Sequence, residues 1–283
     1  MTTYACITTF NEQYYHEMAT NMIETYKQFW PEDIKLYAYT ENFKLPKEAE
    51  GVNIVEWDIH EKCDPGLQSI LDWRGKHFTR GMLFKTYAFI HATKNLDVDV
   101  IIYLDADSVT YRPITHKFLD ALLPNNELTA YMGVTMNKGK WKGNETENAE
   151  TCIYLFNNKH AYSKDFMEHY EEIYESRDID DRERFKKPHD TWAYTECVQR
   201  ALQKGHKVHD LHAIRKAHSP LKETILGKYF RHFKAARKND PNKEKYIKKI
   251  IKGAEVKDLD RLEKKNKKHG NLKEMEKWSR AKV

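Results

Sequence analysis

The sequence has few cysteines and no long apolar run. Cys6, Cys63, Cys152 and Cys197 lie far apart and form no Cys-x-x-Cys pair, which excludes a zinc ribbon and a dense disulfide framework. No stretch approaches the ~18 apolar residues of a membrane span, and the beginning lacks a basic segment followed by an apolar one. We therefore expect a reduced, cytoplasmic protein with no integral membrane segment.

The excess of positive charge is confined to the end of the chain. Residues 1–222 contain 28 Lys and Arg against 34 Asp and Glu, a net charge of −6, whereas residues 223–283 contain 20 against 9, a net charge of +11. A segregated basic segment favours a polyanionic partner, such as nucleic acid or an anionic membrane surface. A solvated, Lys-rich helical tail is the alternative interpretation.

The first half alternates strand and helix patterns. "YACITTF" and "IKLYAYT" have the β-branched and aromatic composition of strands, and the helical spacing between them ends before Pro31. "GMLFKTYAFIHATKN" predicts a second long helix, and "VDVIIYLDAD" predicts a strand buried on both faces. This order predicts an α/β fold with a mainly parallel sheet, whose ligands bind beyond the carboxyl ends of the strands.

Two aspartates follow the most apolar strand. Asp105 and Asp107 come directly after Ile101 to Leu104, at the edge of the sheet where ligands bind. Their side chains can converge on one cation where the chain turns, and hard oxygen ligands suit Mg²⁺ or Mn²⁺ that shares phosphate oxygens with a substrate. The alternative is that both residues only cap a turn.

The stretch "KTYAFI…VDVIIYLDADSV" resembles the signature of GT-A glycosyltransferases, especially the glycogenin- and galactosyltransferase-like branch. The resemblance covers roughly residues 4–222. It implies a Rossmann-like nucleotide-sugar-binding fold, a UDP-sugar donor, and Mn²⁺ or Mg²⁺ held by Asp-x-Asp.

Further segments resemble that family in the same order along the chain. "TTFNEQY" resembles the loop that holds the nucleoside, and "HSPLK" resembles the late element whose His is the third metal ligand. The metal ligands implied are Asp105, Asp107 and His218. The donor-binding residues implied are Thr8, Thr9, Asn11, Tyr14, Arg80, Lys85, Asp105, Ala106 and Lys222. The late element departs from the family pattern because its usual Gly is absent.

A carboxylate near the sugar would stabilise the oxocarbenium-like carbon, attack it, or deprotonate the acceptor. Asp190 in "HDTWAYTE" and Glu150 are the candidates, although Asp190 also suits a helix N-cap and Glu150 an ordinary loop acid. Thr191 stands where the family usually has Gln. Lys85 or Lys222 would stabilise the departing diphosphate.

A GT-A core over residues 1–222 with a basic helical extension over 223–283 resembles bacteriophage DNA-hypermodification glycosyltransferases. That resemblance implies transfer of arabinose or glucose to 5-hydroxymethylcytosine in DNA, in the host cytoplasm, with no obligate protein partner. Two alternatives stay open. One is a glycan or lipopolysaccharide acceptor, and the other is a DNA-binding module with a catalytically silent α/β core.

Overall fold

A twisted, mainly parallel sheet organises the chain. The computed structural model describes residues 2–41, 43–49, 54–58, 80–135, 147–175, 190–212 and 220–233. Within these residues the sheet has seven strands, β1 Tyr4–Asn11, β2 Lys35–Glu41, β3 Ile54–Asp58, β4 Val100–Leu104, β6 Thr129–Thr135, β7 Glu147–Asn157 and β8 His209–Asp210. Their order across the sheet is β3-β2-β1-β4-β7-β6-β8, and only β7 runs antiparallel to its neighbours.

Helices cover both faces of this sheet. They are α1 Glu12–Tyr14, a π-helical turn Tyr15–Ala19, α2 Thr20–Phe29, α3 Arg80–Asn95, α4 His116–Leu122, α5 Ser163–Glu175, α6 Asp190–Gln203 and α7 Pro220–Glu223. Single 3₁₀ turns lie at Lys47–Ala49 and Ile225–Lys228. α2 ends where predicted, because Trp30 precedes Pro31 and takes an extended conformation, with φ −100° and ψ 149°. The expected mixed α/β fold is confirmed.

β4 is the centre of the hydrophobic core. Its side chains alternate between the two faces of the sheet, so Ile102 and Leu104 pack with α2, while Ile101 and Tyr103 pack with α3, α5 and α6. All five residues of β4 are buried, which explains the continuous apolar run in the sequence. The core thus fixes the position of the residues that follow Leu104.

A second, two-stranded sheet joins the late part of the chain to this core. β5 Ser108–Thr110 pairs antiparallel with β9 Phe230–His232, and Ser108 lies opposite His232. Phe230 is buried against Trp30, and Trp30 donates to the Thr110 hydroxyl at 2.9 Å. The chain therefore continues as packed structure past Lys222, where we predict the domain boundary, at least to Phe233. That division stays a prediction, and the basic segment 234–283 lies outside the described residues.

Across the described residues, no helix combines the length and apolar composition that crossing a bilayer requires.

Close packing at Gly227 generates the first prediction. A Cβ at this position would overlap the Leu221 carbonyl oxygen and lie 2.9 Å from Lys222 Cα, and both are backbone atoms. We predict that Gly227→Ala lowers the free energy of unfolding by about 1 to 3 kcal/mol through overpacking, measured by urea denaturation.

The matched control is Gly205→Asn. Gly205 follows α6 with φ 82°, and a Cβ added there would meet no heavy atom within 4 Å. Asn tolerates this left-handed conformation. We expect a loss below about 1 kcal/mol. Equal losses in the two variants would contradict the packing argument.

Candidate functional site

The turn after β4 brings the two aspartates together. The Asp105 N–H donates to the Cys152 carbonyl at 2.8 Å, and the Ser108 N–H donates back to the Asp105 carbonyl at 2.9 Å. Residues two apart along an extended chain project to the same side. Both carboxylates accordingly face His232, whose Nε2 lies 2.9 Å from Asp107 Oδ1 and 3.6 Å from Asp105 Oδ2.

Lys85 is the cation of the site. Its ammonium lies 2.9 Å from Asp105 Oδ1 and 2.9 Å from Asp190 Oδ2, and it also donates to the Thr151 carbonyl. The Tyr103 ring lies beneath it, with 4.3 Å from Nζ to the ring centroid. The Lys85 side chain is only 8% exposed. The predicted lysine of α3 thus links β4 with the start of α6.

Among the contacts described for this site, acidic groups outnumber basic groups. The carboxylates of Asp105, Asp107 and Asp190 adjoin one ammonium and one imidazole. Burial raises the pKa of Asp105, the Lys85 ammonium lowers it, and the Asp107 charge raises it again, so that the pKa stays above its usual value. Burial alone would lower the pKa of Lys85, but Asp105 and Asp190 outweigh this effect and raise it well above its usual value.

Asp190 is held rigidly at the first turn of α6. It is 4% exposed, accepts from the Thr151 hydroxyl at 2.6 Å, and pairs with Lys85. Two contacts to one carboxylate fix its orientation relative to β7. Asp190 and the Asp-x-Asp pair therefore belong to one connected group of side chains.

The predicted nucleoside loop also reaches this group. The Asn11 side chain accepts from the Tyr14 N–H at 2.8 Å and so caps α1. This cap orients Tyr14, whose hydroxyl donates to Asp107 Oδ2 at 2.7 Å. Tyr14 therefore connects the end of β1 to the second aspartate, a contact that the sequence alone did not indicate.

The hydroxyls of Thr8 and Thr9 lie near the carboxyl end of β1. Both oxygens are buried, and neither has a hydrogen-bond partner among the described residues. Buried hydroxyls without partners carry a free-energy cost. The hydroxyls of Thr8 and Thr9 therefore suit a polar ligand that supplies the missing hydrogen bonds. Ala106, between the two aspartates, is buried.

Glu150 lies on β7, two residues from Cys152. A carboxylate oxygen of Glu150, the Cys152 sulfur and a ring nitrogen of His232 lie within 4.8 Å of one another. Glu150 therefore lies next to the Asp-x-Asp group, on the side of His232.

The structure does not test the roles predicted for three further residues. His218 lies outside the described residues. Arg80 begins α3, but its side chain is not described. Lys222 lies on α7, which packs against β6 and β9. The roles predicted for these residues stay predictions.

His232 occupies the place that we predict for His218, and sequence reasoning missed it. A carboxylate oxygen of Asp105, one of Asp107 and a His232 nitrogen lie within 4.8 Å of one another. The only sequence signal is the strand-like "KYFRHF", a His among aromatics. Two carboxylates and an imidazole suit Mn²⁺ or Mg²⁺, and a divalent cation would offset the excess negative charge.

Lys85 generates the prediction of this subsection. We predict that Lys85→Met lowers the free energy of unfolding in metal-free buffer by about 3 to 5 kcal/mol, because it removes the buried ammonium that pairs with Asp105 and Asp190. The control on the same helix is Lys94→Met, which removes a surface pair with Glu171 and should cost less than about 1 kcal/mol. Chemical denaturation of both variants measures the difference, and similar losses would contradict the account.

Comparisons with known proteins give a match by structure only. No protein-family model matches the chain, and no curated protein sequence is significantly similar to it. Galactosyltransferase LgtC, solved with donor and acceptor sugar analogs, superposes with a TM-score of 0.53 and 10% identity over 89% of this chain and 96% of LgtC.

Two further structures are less similar. Mouse xyloside xylosyltransferase 1 gives a TM-score of 0.48 and 12% identity over 74% of this chain and 84% of its own. The glycosyltransferase GlyE of Streptococcus pneumoniae gives a TM-score of 0.39 and 12% identity over 74% of this chain. The matched part spans only 46% of the length of GlyE. The likeness to LgtC and the strand order together establish that the chain has a GT-A fold.

Proposed function

We propose that this chain is a metal-dependent glycosyltransferase that uses a nucleotide-sugar donor. The observation that carries the proposal is the convergence of Asp105, Asp107 and His232 at the carboxyl end of β4. In an open α/β sheet this edge is where ligands bind. The GT-A fold supports the same reaction class.

Asp105, Asp107 and His232 would hold Mn²⁺ or Mg²⁺. When bound, the ion would neutralise charge on the departing nucleoside diphosphate. Lys85 holds Asp105 in place through a 2.9 Å ion pair, and Tyr14 holds Asp107 through its hydroxyl. These two side chains orient the ligands before any ion arrives.

Thr8 and Thr9 support donor binding because their buried hydroxyls lack partners among the described residues. We assign the nucleoside to the end of β1, with Asn11 maintaining the turn through its cap on α1. Ala106 would place backbone next to the donor phosphates. The donor-binding roles of Arg80 and Lys222 remain part of the proposal, motivated by their charge.

Two carboxylates remain for the sugar. Asp190 pairs with Lys85 and accepts from the Thr151 hydroxyl, which fixes its orientation, so it suits stabilisation of positive charge at the anomeric carbon. Glu150 is less buried and lies beside His232, which suits a group that exchanges a proton with an incoming acceptor. We propose these separate roles for Asp190 and Glu150.

The finer proposal concerns donor and acceptor. We propose UDP-arabinose or UDP-glucose as donor and 5-hydroxymethylcytosine in phage DNA as acceptor, because residues 223–283 carry a net charge of +11. Lys and Arg contacts to phosphates supply affinity for DNA that falls as salt rises. A glycan or lipopolysaccharide acceptor, and a DNA-binding module with a silent core, are the alternatives that the experiment must separate.

Metal binding gives a test of the proposed ligands. We expect Asp107→Asn and His232→Gln each to weaken Mn²⁺ binding at least about tenfold, since each variant removes a ligand. The electron paramagnetic resonance signal of free Mn²⁺, which decreases on binding, measures this affinity. Asp165→Asn is the control, because Asp165 is an exposed acid on α5. If His232→Gln binds Mn²⁺ with wild-type affinity, then His232 is not the third ligand, and His218 becomes the first candidate.

A panel of UDP-sugars tests the reaction. Each sugar is offered with Mn²⁺ and duplex DNA containing 5-hydroxymethylcytosine, and digested nucleosides are analysed by mass. We expect a pentose or hexose adduct with wild type and its loss with Asp107→Asn. Metal-dependent hydrolysis of one UDP-sugar without an adduct would support the glycosyltransferase proposal but not the DNA acceptor. Glycans would then be tested as acceptors. DNA binding without any UDP-sugar turnover would favour the silent module.

A further inference from the structure

Cys152 lies next to the Asp-x-Asp group, yet the proposed reaction does not use it. Glu150 and Cys152 are two residues apart on β7, so their side chains lie on the same face of the strand. β9 places His232 at that face. We propose that Glu150, Cys152 and His232 form a second metal site, selective for a thiophilic divalent ion such as Zn²⁺ or Cd²⁺, that shares His232 with Asp105 and Asp107.

The ligand types set the preference between the two sites. Asp105 and Asp107 supply hard oxygens, which favour Mg²⁺ or Mn²⁺. Cys152 supplies a sulfur, and a set of one sulfur, one imidazole and one carboxylate favours softer ions. The two groups of ligands therefore prefer different ions although they lie side by side.

The distances also suit an ion. The three ligand atoms lie within 4.8 Å of one another, and a tetrahedral ion at ~2.0 to 2.3 Å from each ligand would separate them by roughly 3.3 to 3.8 Å. Rotation of the Glu150 and His232 side chains, which are partly exposed, brings their ligand atoms to this separation from the sulfur of buried Cys152. Binding requires the thiolate, so the Cys152 sulfur gives its proton to solvent as the metal–sulfur bond forms.

Sharing His232 makes the two sites exclusive. A neutral imidazole has one nitrogen lone pair, because its other nitrogen carries the proton. Coordination of one ion by His232 therefore removes it as a ligand for the other ion. A thiophilic ion at Cys152 would leave only the two carboxylates for Mn²⁺ and would weaken that site. This competition rests on the proposed Mn²⁺ site, whereas the Cys152 site stands without it.

The first experiment detects the thiophilic site directly. Cd²⁺ is titrated into the metal-free chain, and the thiolate-to-metal charge-transfer absorption in the ultraviolet is recorded. We expect an absorption that saturates at one equivalent in wild type and is lost in Cys152→Ala. Cys197→Ala is the matched control, because Cys197 is equally buried, at 1% exposure, but lies on α6.

The result is decided by comparing Cys152→Ala with Cys197→Ala. Both variants retain Cys63, which lies outside the described residues, so any Cd²⁺ absorption from Cys63 contributes to both. Circular dichroism checks that each variant is folded, and Cys152→Ser replaces Cys152→Ala if the alanine variant does not fold. Equal Cd²⁺ absorption in the Cys152 and Cys197 variants would overturn the proposed site.

The second experiment tests the competition. Cd²⁺ is added to the Mn²⁺-loaded chain, and released Mn²⁺ is followed by electron paramagnetic resonance. We expect Cys152→Ala to need at least tenfold more Cd²⁺ than Cys197→Ala for the same release. Cd²⁺ absorption without Mn²⁺ release would overturn the sharing of His232. Cd²⁺ absorption in a chain that binds no Mn²⁺ would overturn the proposed Mn²⁺ site and leave the Cys152 site intact.

Discussion

The buried ammonium of Lys85 is the constraint on which the site depends. It contacts Asp105 at the end of β4, Asp190 at the start of α6 and the Thr151 carbonyl of β7. Burying this charge carries a large desolvation cost, which the two carboxylates and the carbonyl offset. One side chain on α3 thereby fixes three other elements relative to one another and orients the carboxylates of Asp105 and Asp190.

The second constraint comes from the far end of the described chain. β9 pairs with β5, directly after the Asp-x-Asp turn, and the Phe233 N–H donates to the Asp107 carbonyl at 3.0 Å. This pairing brings His232 to the two aspartates, near Asp105 Oδ2, whereas Lys85 pairs with Asp105 Oδ1. Asp105 lies between the Lys85 ammonium and the His232 imidazole. Because His232 is part of β9, metal binding at this site is linked to the packing of β9.

Local patterns were enough to predict much of this arrangement. The apolar run of β4 and the alternation of strands with helices predict the sheet, because burial on both faces requires continuous apolar residues. Asp105 and Asp107 are predicted because they directly follow that run, and Lys85 because the resemblance to GT-A glycosyltransferases places a lysine on the preceding helix. His232 and the contact of Tyr14 with Asp107 were not predicted, because both depend on pairing between distant segments. The reversed direction of β7 likewise has no local signal.

The most direct test is a crystal structure with Mn²⁺ and UDP, with the metal located by its anomalous scattering. The account predicts one strong anomalous peak bounded by Asp105, Asp107 and His232, with the UDP phosphates on its open side and the nucleoside near Thr8 and Thr9. A peak that His218 completes in place of His232 would correct the ligand set. A peak away from both aspartates, or UDP bound elsewhere, would contradict the proposed site.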